Sequence, residues 1–217
     1  MAAVLVAGCG GSGSSPGVDA AIDAPKLVDA PADVPVDTTD GPVSSVEILT
    51  DGDFEQLDGA GFLTHWTRHE GDPNGQIALV TSPVHSGTHA VQWQMSTATG
   101  YEMFIIQRDV ATAKLEPGAT YQITGWYHMN TTAPTTADVA WNYIVRGTPG
   151  DEPDIETVSL PAMGPTTANT WLPFHYEFTI PIGAAPQAYW VYLHSIKWGS
   201  AVPVTLTVDG ASIRKKL

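Results

Sequence analysis

The sequence predicts an all-β fold, an antiparallel sandwich or barrel, preceded by a disordered N-terminal tether. From about residue 46, short alternating runs of residues are separated by Gly, Pro and Asn, and no stretch keeps a helical period. Before that point the chain is rich in Gly, Ser, Ala, Pro and Asp and has no aromatic residue. Such a segment cannot bury a core. We therefore expect one folded domain over residues 46–217 and a linker over residues 10–45.

Nine segments of the domain show the alternation or the β-branched and aromatic composition of strands. Turn residues bound most of them, which favours many short antiparallel strands. The predicted strands are Ile77–Thr81, His89–Met95, Glu102–Arg108, Thr120–Met129, Asp138–Arg146, Ile155–Leu160, Trp171–Ile180, Ala188–Ser195 and Val202–Ile213.

Alternate residues of a strand point to opposite faces, so the more aliphatic set of each strand is expected to face the core. The expected inward residues are Val91, Trp93, Met95, Tyr121, Ile123, Tyr127, Val191, Leu193, Val204, Leu206 and Val208. The opposite set is rich in Trp, Tyr, His and Gln, and we expect it on one exposed concave face. It consists of Gln92, Gln94, Trp126, His128, Trp190, Tyr192 and His194. The rival interpretation is that loops cover these rings, which then form a second small core.

The strand Asp138–Arg146 cannot be oriented by this rule. Trp141 and Tyr143 share parity with Val139 and Val145, which favours the core. The reverse assignment would add both aromatic residues to the exposed face.

The N-terminus has the pattern of an address signal. Val6-Ala7-Gly8-Cys9 resembles a bacterial lipobox, which ends in a lipid-modified cysteine, and residues 1–9 are read as the end of that signal. No Lys or Arg precedes the short apolar run, so the true start is expected upstream of Met1. Gly10 follows the cysteine instead of the Asp of inner-membrane lipoproteins, which favours a surface-exposed outer-membrane protein of the cell envelope. Membrane contact is expected through this anchor alone.

Several other function classes are disfavoured. A net charge of −14 is a poor match for nucleic acid. No Gly-x-Ser-x-Gly or His-Glu-x-x-His motif occurs, and Glu102 and Glu177 are the notable strand-borne glutamates. We expect no catalysis, and we expect a monomer.

Four segments resemble the carbohydrate-binding modules of cellulases and xylanases (groups four, nine and twenty-two, with a galactose-binding-domain-like jelly roll). Asp51-Gly52-Asp53-Phe54-Glu55 is similar to their Asn-Gly-Asp-Phe-Glu opening, and Val84–Ala90 to their Tyr-Ser-Gly turn. Leu115–Tyr121 with Trp126 matches a Leu-x-x-Gly-x-x-Tyr…Trp strand, and Leu206–Ile213 resembles the closing strand.

The resemblance implies a jelly-roll β-sandwich that binds a polysaccharide or oligosaccharide without catalysis. It also implies a structural calcium, with carboxylates from Glu55 and Asp209 and backbone oxygens near Asp53, Ser86 and Thr88. Gly210 stands where the family usually has a second Asp, which departs from the pattern. The alternative function is a structural or adhesive surface lipoprotein that has the same fold and no sugar site.

Overall fold

A computed structural model describes residues 41–97, 100–111, 115–130, 139–147, 154–159, 169–182, 188–197 and 203–217. Residues 139–147 and 154–159 are described by their backbone alone. The predicted lipobox, Cys9 and almost all of the predicted tether lie outside the described residues. Within the described ranges, no helix is long and apolar enough to cross a membrane.

The domain is built from eleven described strands in two antiparallel sheets. They are β1 Val43–Glu47, β2 Thr67–Glu70, β3 Gln76–Val80, β4 Ala90–Met95, β5 Tyr101–Ala111, β6 Thr120–Met129, β7 Val139–Gly147, β8 Asp154–Ser159, β9 Trp171–Thr179, β10 Ala188–Lys197 and β11 Val204–Lys216. The predicted all-β antiparallel sandwich is confirmed. All nine predicted strands are present, β6 with the predicted ends, and β1 and β2 are two further strands.

The strand order decides which residues can share a surface. One sheet has the order β3-β4-β11-β6-β9, with β1 pairing to β11 as well, and the other has the order β2-β5-β10-β7-β8. We call them the six-stranded and the five-stranded sheet. The inner faces of both sheets contribute to one buried core, as expected of a sandwich.

The expected inward residues are all buried. Trp93, Val191 and Leu193 are fully shielded from solvent, and the rest of the predicted set is at most 8% exposed. Parity therefore oriented β4, β6, β10 and β11 correctly, because one face of each strand packs against the other sheet.

The segment before β2 is fixed to β11 by a close backbone approach. A side chain at Gly52 would meet the carbonyl oxygen of Ala211 at 2.0 Å, so only glycine fits there. Phe54 is fully buried with a left-handed backbone (φ 60°) and packs on Trp66. The indole of Trp66 donates to the carbonyl oxygen of Asp51 at 3.0 Å. These contacts hold Glu55 beside the turn that precedes β4.

Candidate functional site

The outer side of the five-stranded sheet carries a continuous row of rings. We call this surface the five-strand face; it consists of His69 on β2, Glu102, Phe104 and Arg108 on β5, and Trp190, Tyr192 and His194 on β10. Tyr192 and His194 alternate with the core residues Val191 and Leu193, so they point away from the core. Strand pairing places β5 beside both β2 and β10.

Ring packing links the three strands of this face. His69 stacks on Phe104 with centroids 4.7 Å apart, and Phe104 meets the ring of Tyr192 edge-on at 5.3 Å. Tyr192 in turn lies 6.4 Å from the ring of Trp190. Each distance is within the range in which aromatic side chains attract one another. The result is a semi-rigid apolar surface on the outside of the sandwich.

Along the direction of β10, charged groups lie at the two ends of this face, beside Trp190 and beside His194. The guanidinium of Arg108 sits 5.2 Å from the ring centroid of Trp190, in the range of a cation–π contact. At the other end, Nε2 of His194 is 3.7 Å from a carboxylate oxygen of Glu102. Both Arg108 and Glu102 are exposed.

Two residues of this face are less exposed than predicted. Tyr192 is 8% exposed and His194 is 4% exposed, whereas Trp190 and Phe104 are half-buried and His69 is exposed. The expectation that Tyr192 and His194 are open to solvent is therefore wrong. They belong to the central strand of five, so neighbouring strands flank them on both sides. Both rings pack beside the more exposed ring of Phe104.

The other predicted binding residues lie on the outer side of the six-stranded sheet. Gln92 and Gln94 belong to β4, and Trp126 and His128 belong to β6. The expectation that all seven residues share one concave face is therefore wrong. β4 and β6 both pair with β11, while β10 pairs with β5 and β7, so the set is divided between opposite sides of the sandwich.

Most of this second group is engaged in local packing, and Gln92 is buried at 9% exposure, so the expectation that it is open to solvent is wrong. His85 stacks on Trp126 with centroids 3.9 Å apart and an interplanar angle of 14°. His128 lies 5.4 Å from the ring of Trp171, and burial lowers its pKa. The amide of Gln94 donates to Gln92, which donates to the hydroxyl of Thr207. Gln92, Trp126 and His128 therefore already have partners within the domain.

Two carboxylates predicted to bind calcium, Glu55 and Asp209, reach the turn before β4. Both oxygens of Glu55 face this turn: Oε1 accepts from the backbone N–H groups of Thr88 and His89, and Oε2 accepts from the Thr88 hydroxyl. Nδ1 of His89 lies 2.9 Å from Oε2. A side chain at Gly87 would collide with Oε1 at 2.1 Å, so glycine permits this clamp.

Asp209 reaches the same turn from β11. It is fully buried, and its Oδ2 accepts from the backbone N–H groups of His85 and Ser86 at 2.8 and 2.9 Å. Burial raises the pKa of Asp209, although these hydrogen bonds oppose the rise. Its Oδ1 is shielded and has no hydrogen-bond partner among the described residues. Asp53 is exposed and lies near Asp51, whose pKa is raised mainly by burial.

The carboxylate of Asp209 is suited to ligate calcium, whereas that of Glu55 is poorly suited. A buried carboxylate oxygen without a donor suits a hard cation, whereas Glu55 already receives four donors. Among the described residues, no group of three or more His, Cys, Asp or Glu side chains is arranged to hold a metal ion. Calcium stays a prediction from the resemblance.

Comparison with known proteins shows the family. The profile of a carbohydrate binding domain matches residues 46–201. The chain belongs to this carbohydrate-binding domain family. A search of the curated proteins gave no match.

Solved structures with the same fold include other carbohydrate-binding modules. The first xylan-binding domain (CBM22-1) of Paenibacillus barcinonensis Xyn10C is 13% identical, with a TM-score of 0.51 over 82% of this chain and 97% of that one. The second domain (CBM22-2) is 13% identical, with a TM-score of 0.52 over 76% and 98%. An arabinose-bound α-L-arabinofuranosidase is 15% identical, with a TM-score of 0.59 over 78% of this chain and only 26% of that one. At these identities the likeness shows the fold alone.

The candidate site includes residues that the sequence did not predict. His69, Phe104 and Arg108 complete the five-strand face, and His85 and Trp171 pack on the other side. The side chains of Trp141 and Tyr143 lie outside the described residues, so their orientation stays open. Glu102 and Glu177, the two notable strand-borne glutamates, belong to different sheets. Modules of this family are usually non-catalytic.

Proposed function

We propose that the five-strand face binds a glycan chain and that the domain works as a non-catalytic binding module. The observation that carries this proposal is the row of half-buried and exposed rings, His69, Phe104 and Trp190, packed against Tyr192 and His194. Sugar rings present apolar C–H faces, which pack on aromatic side chains. Their hydroxyl groups pair with charged and polar groups such as Arg108 and Glu102.

Membership in the family supports this function, and two fold neighbours are named as xylan-binding domains. Xylan is therefore the first polysaccharide to test. The five-strand face supports the proposal better than the opposite side does, because Trp126 is already stacked by His85.

Affinity electrophoresis tests the proposal directly. The full chain is run in native gels that contain xylan, mixed-linkage glucan, pectin or alginate, beside a non-binding acidic protein. Slower migration in at least one polysaccharide is expected, because glycan contacts retard a binding protein. Unchanged migration throughout a broad panel would favour the alternative, a structural or adhesive domain with no sugar site.

We further propose that a lipid on Cys9 displays this domain on the outer surface of the cell envelope. The support comes from the lipobox-like sequence 6–9 and the Asp-, Ala- and Pro-rich segment that follows. The chain is fused to a complete lipoprotein signal and expressed in a bacterium, where it is expected in the membrane fraction. Cys9→Ser is expected to move it to the soluble fraction. Equal membrane recovery of both proteins would contradict lipidation.

A further inference from the structure

The Trp190 end of the five-strand face joins an exposed cation to an indole ring. Resting on the proposed function, we infer that this end binds the carboxylate of an acidic sugar, so that the bound glycan is a polysaccharide containing uronic acid. The sugar ring would lie along the row of aromatic side chains, and the carboxylate would meet the guanidinium of Arg108.

Arg108 differs from the other described cations. Four of them lie within 4.0 Å of a carboxylate: Arg68 with Glu70, Arg214 with Glu47, Lys215 with Glu116, and Lys216 with Glu177. No carboxylate of the described residues forms such a pair with Arg108, although the chain has 23 acidic residues and only 9 Lys and Arg. An arginine that no described carboxylate pairs with, on the candidate binding surface of so acidic a protein, points to an anionic ligand.

Stacking on Trp190 prepares Arg108 for this role. The guanidinium lies 5.2 Å from the centroid of the indole ring, so the Arg108 side chain has lost part of its conformational freedom before a ligand binds. Its planar edge can then donate two parallel hydrogen bonds to one carboxylate. A lysine would lack this geometry.

A second donor at the same end has no acceptor among the described residues. The indole Nε1 of Trp190 is shielded from solvent and makes no hydrogen bond with any described residue. Buried donors are normally paired, so a small movement of the ring on ligand binding would gain an acceptor. In the backbone register of the sheet, Arg146 of β7 lies opposite Trp190 of β10.

The two ends of the face have opposite charge, which gives a bound chain a direction. Glu102 and Arg108 are six residues apart on β5, or roughly 20 Å. Repulsion of an acidic glycan by the rest of the protein is screened beyond about 8 Å at physiological ionic strength. Carboxylates farther than this from Arg108 therefore oppose the contact only weakly.

Carboxyl reduction gives a matched pair of ligands. Glucuronoxylan, pectin and alginate are each compared with their carboxyl-reduced forms, which keep the chain and replace the charged group by a neutral one. Calorimetric titration or affinity electrophoresis of the full chain is expected to show about tenfold weaker binding to the reduced form of the polysaccharide that binds. Arg108→Gln is expected to bind the native form as weakly as wild type binds the reduced one, and to bind the reduced form normally.

Arg214→Gln is the control, because it removes the same charge from β11 of the other sheet and should bind as wild type does. Equal affinity of wild type for native and reduced forms would overturn the inference while the proposed function stands. Equal weakening of both forms by Arg108→Gln would also overturn it, as would binding only to a sulfated glycan. If the wild type binds none of the polysaccharides tested, the proposed function and this inference both fail.

Discussion

Replacing Trp190 with alanine is expected to weaken glycan binding by at least about 30-fold, the effect of losing an aromatic contact of about 2 kcal/mol. Trp190 is half-buried at the end of the row of rings, where it contacts both Tyr192 and Arg108. The variant removes the apolar platform and also the surface that holds the guanidinium. Affinity electrophoresis or calorimetric titration against the polysaccharide that retards the wild type measures the change.

Trp126→Ala is the matched control, because it removes the same ring from the other sheet. Its affinity is expected to stay within about twofold of the wild type. Circular dichroism and thermal melts of both variants verify that they fold, since Trp126 packs on His85. Should Trp126→Ala abolish binding and Trp190→Ala keep it, the site belongs on the six-stranded sheet and the present assignment is wrong.

Replacing Glu55 with glutamine is expected to lower the free energy of unfolding by about 2–3 kcal/mol, typical of hydrogen bonds to a charged group. Burial opposes ionisation of Glu55, but the hydrogen bonds from Thr88 and His89 outweigh it and lower the pKa to about 2. Since the folded state holds the carboxylate more strongly than the unfolded chain, its contribution is complete above about pH 4.5. That contribution is lost as the pH falls towards 2. Urea denaturation at pH 7 and at pH 3 measures both effects.

Glu177→Gln is the control, because Glu177 is an exposed partner of Lys216 and an exposed pair contributes little. An unchanged unfolding free energy in Glu55→Gln would contradict the structural role of the contacts that Glu55 makes with Thr88 and His89.

Thermal melts of the full chain, run with calcium and with a chelator, test the predicted calcium ion. A calcium-dependent rise in Tm that Asp209→Asn removes is expected, and no rise in the wild type would exclude the ion.

The faces of single strands could be predicted from the sequence because they depend on neighbours two residues away. Val191 and Leu193 on β10, like Tyr121 and Ile123 on β6, were placed in the core correctly. The sheet to which a strand belongs could not be predicted in this way. Trp126 and Trp190 have the same outward parity, but the pairing of β6 with β11 and of β10 with β5 joins segments far apart in sequence.

Two contributors to the five-strand face gave no local signal. β2 has the sequence Thr-Arg-His-Glu, four exposed residues with no apolar alternation, so His69 could not be assigned to a strand. In β5 the residues Met103 to Ile106 are all apolar, and either parity could have faced the core. Only the pairing of β5 with both β2 and β10 shows that Phe104 points outward, beside Tyr192.

The position of β11 has a consequence for biosynthesis. This strand, Val204–Lys216, lies in the interior of its sheet and pairs with β1, β4 and β6, whose residues leave the ribosome much earlier. Until β11 emerges, the edges of β4 and β6 that it will join have no partner, and the sheet cannot close. Secretion machinery that accepts only unfolded chains would therefore meet a substrate that stays unfolded until β11 has been translated.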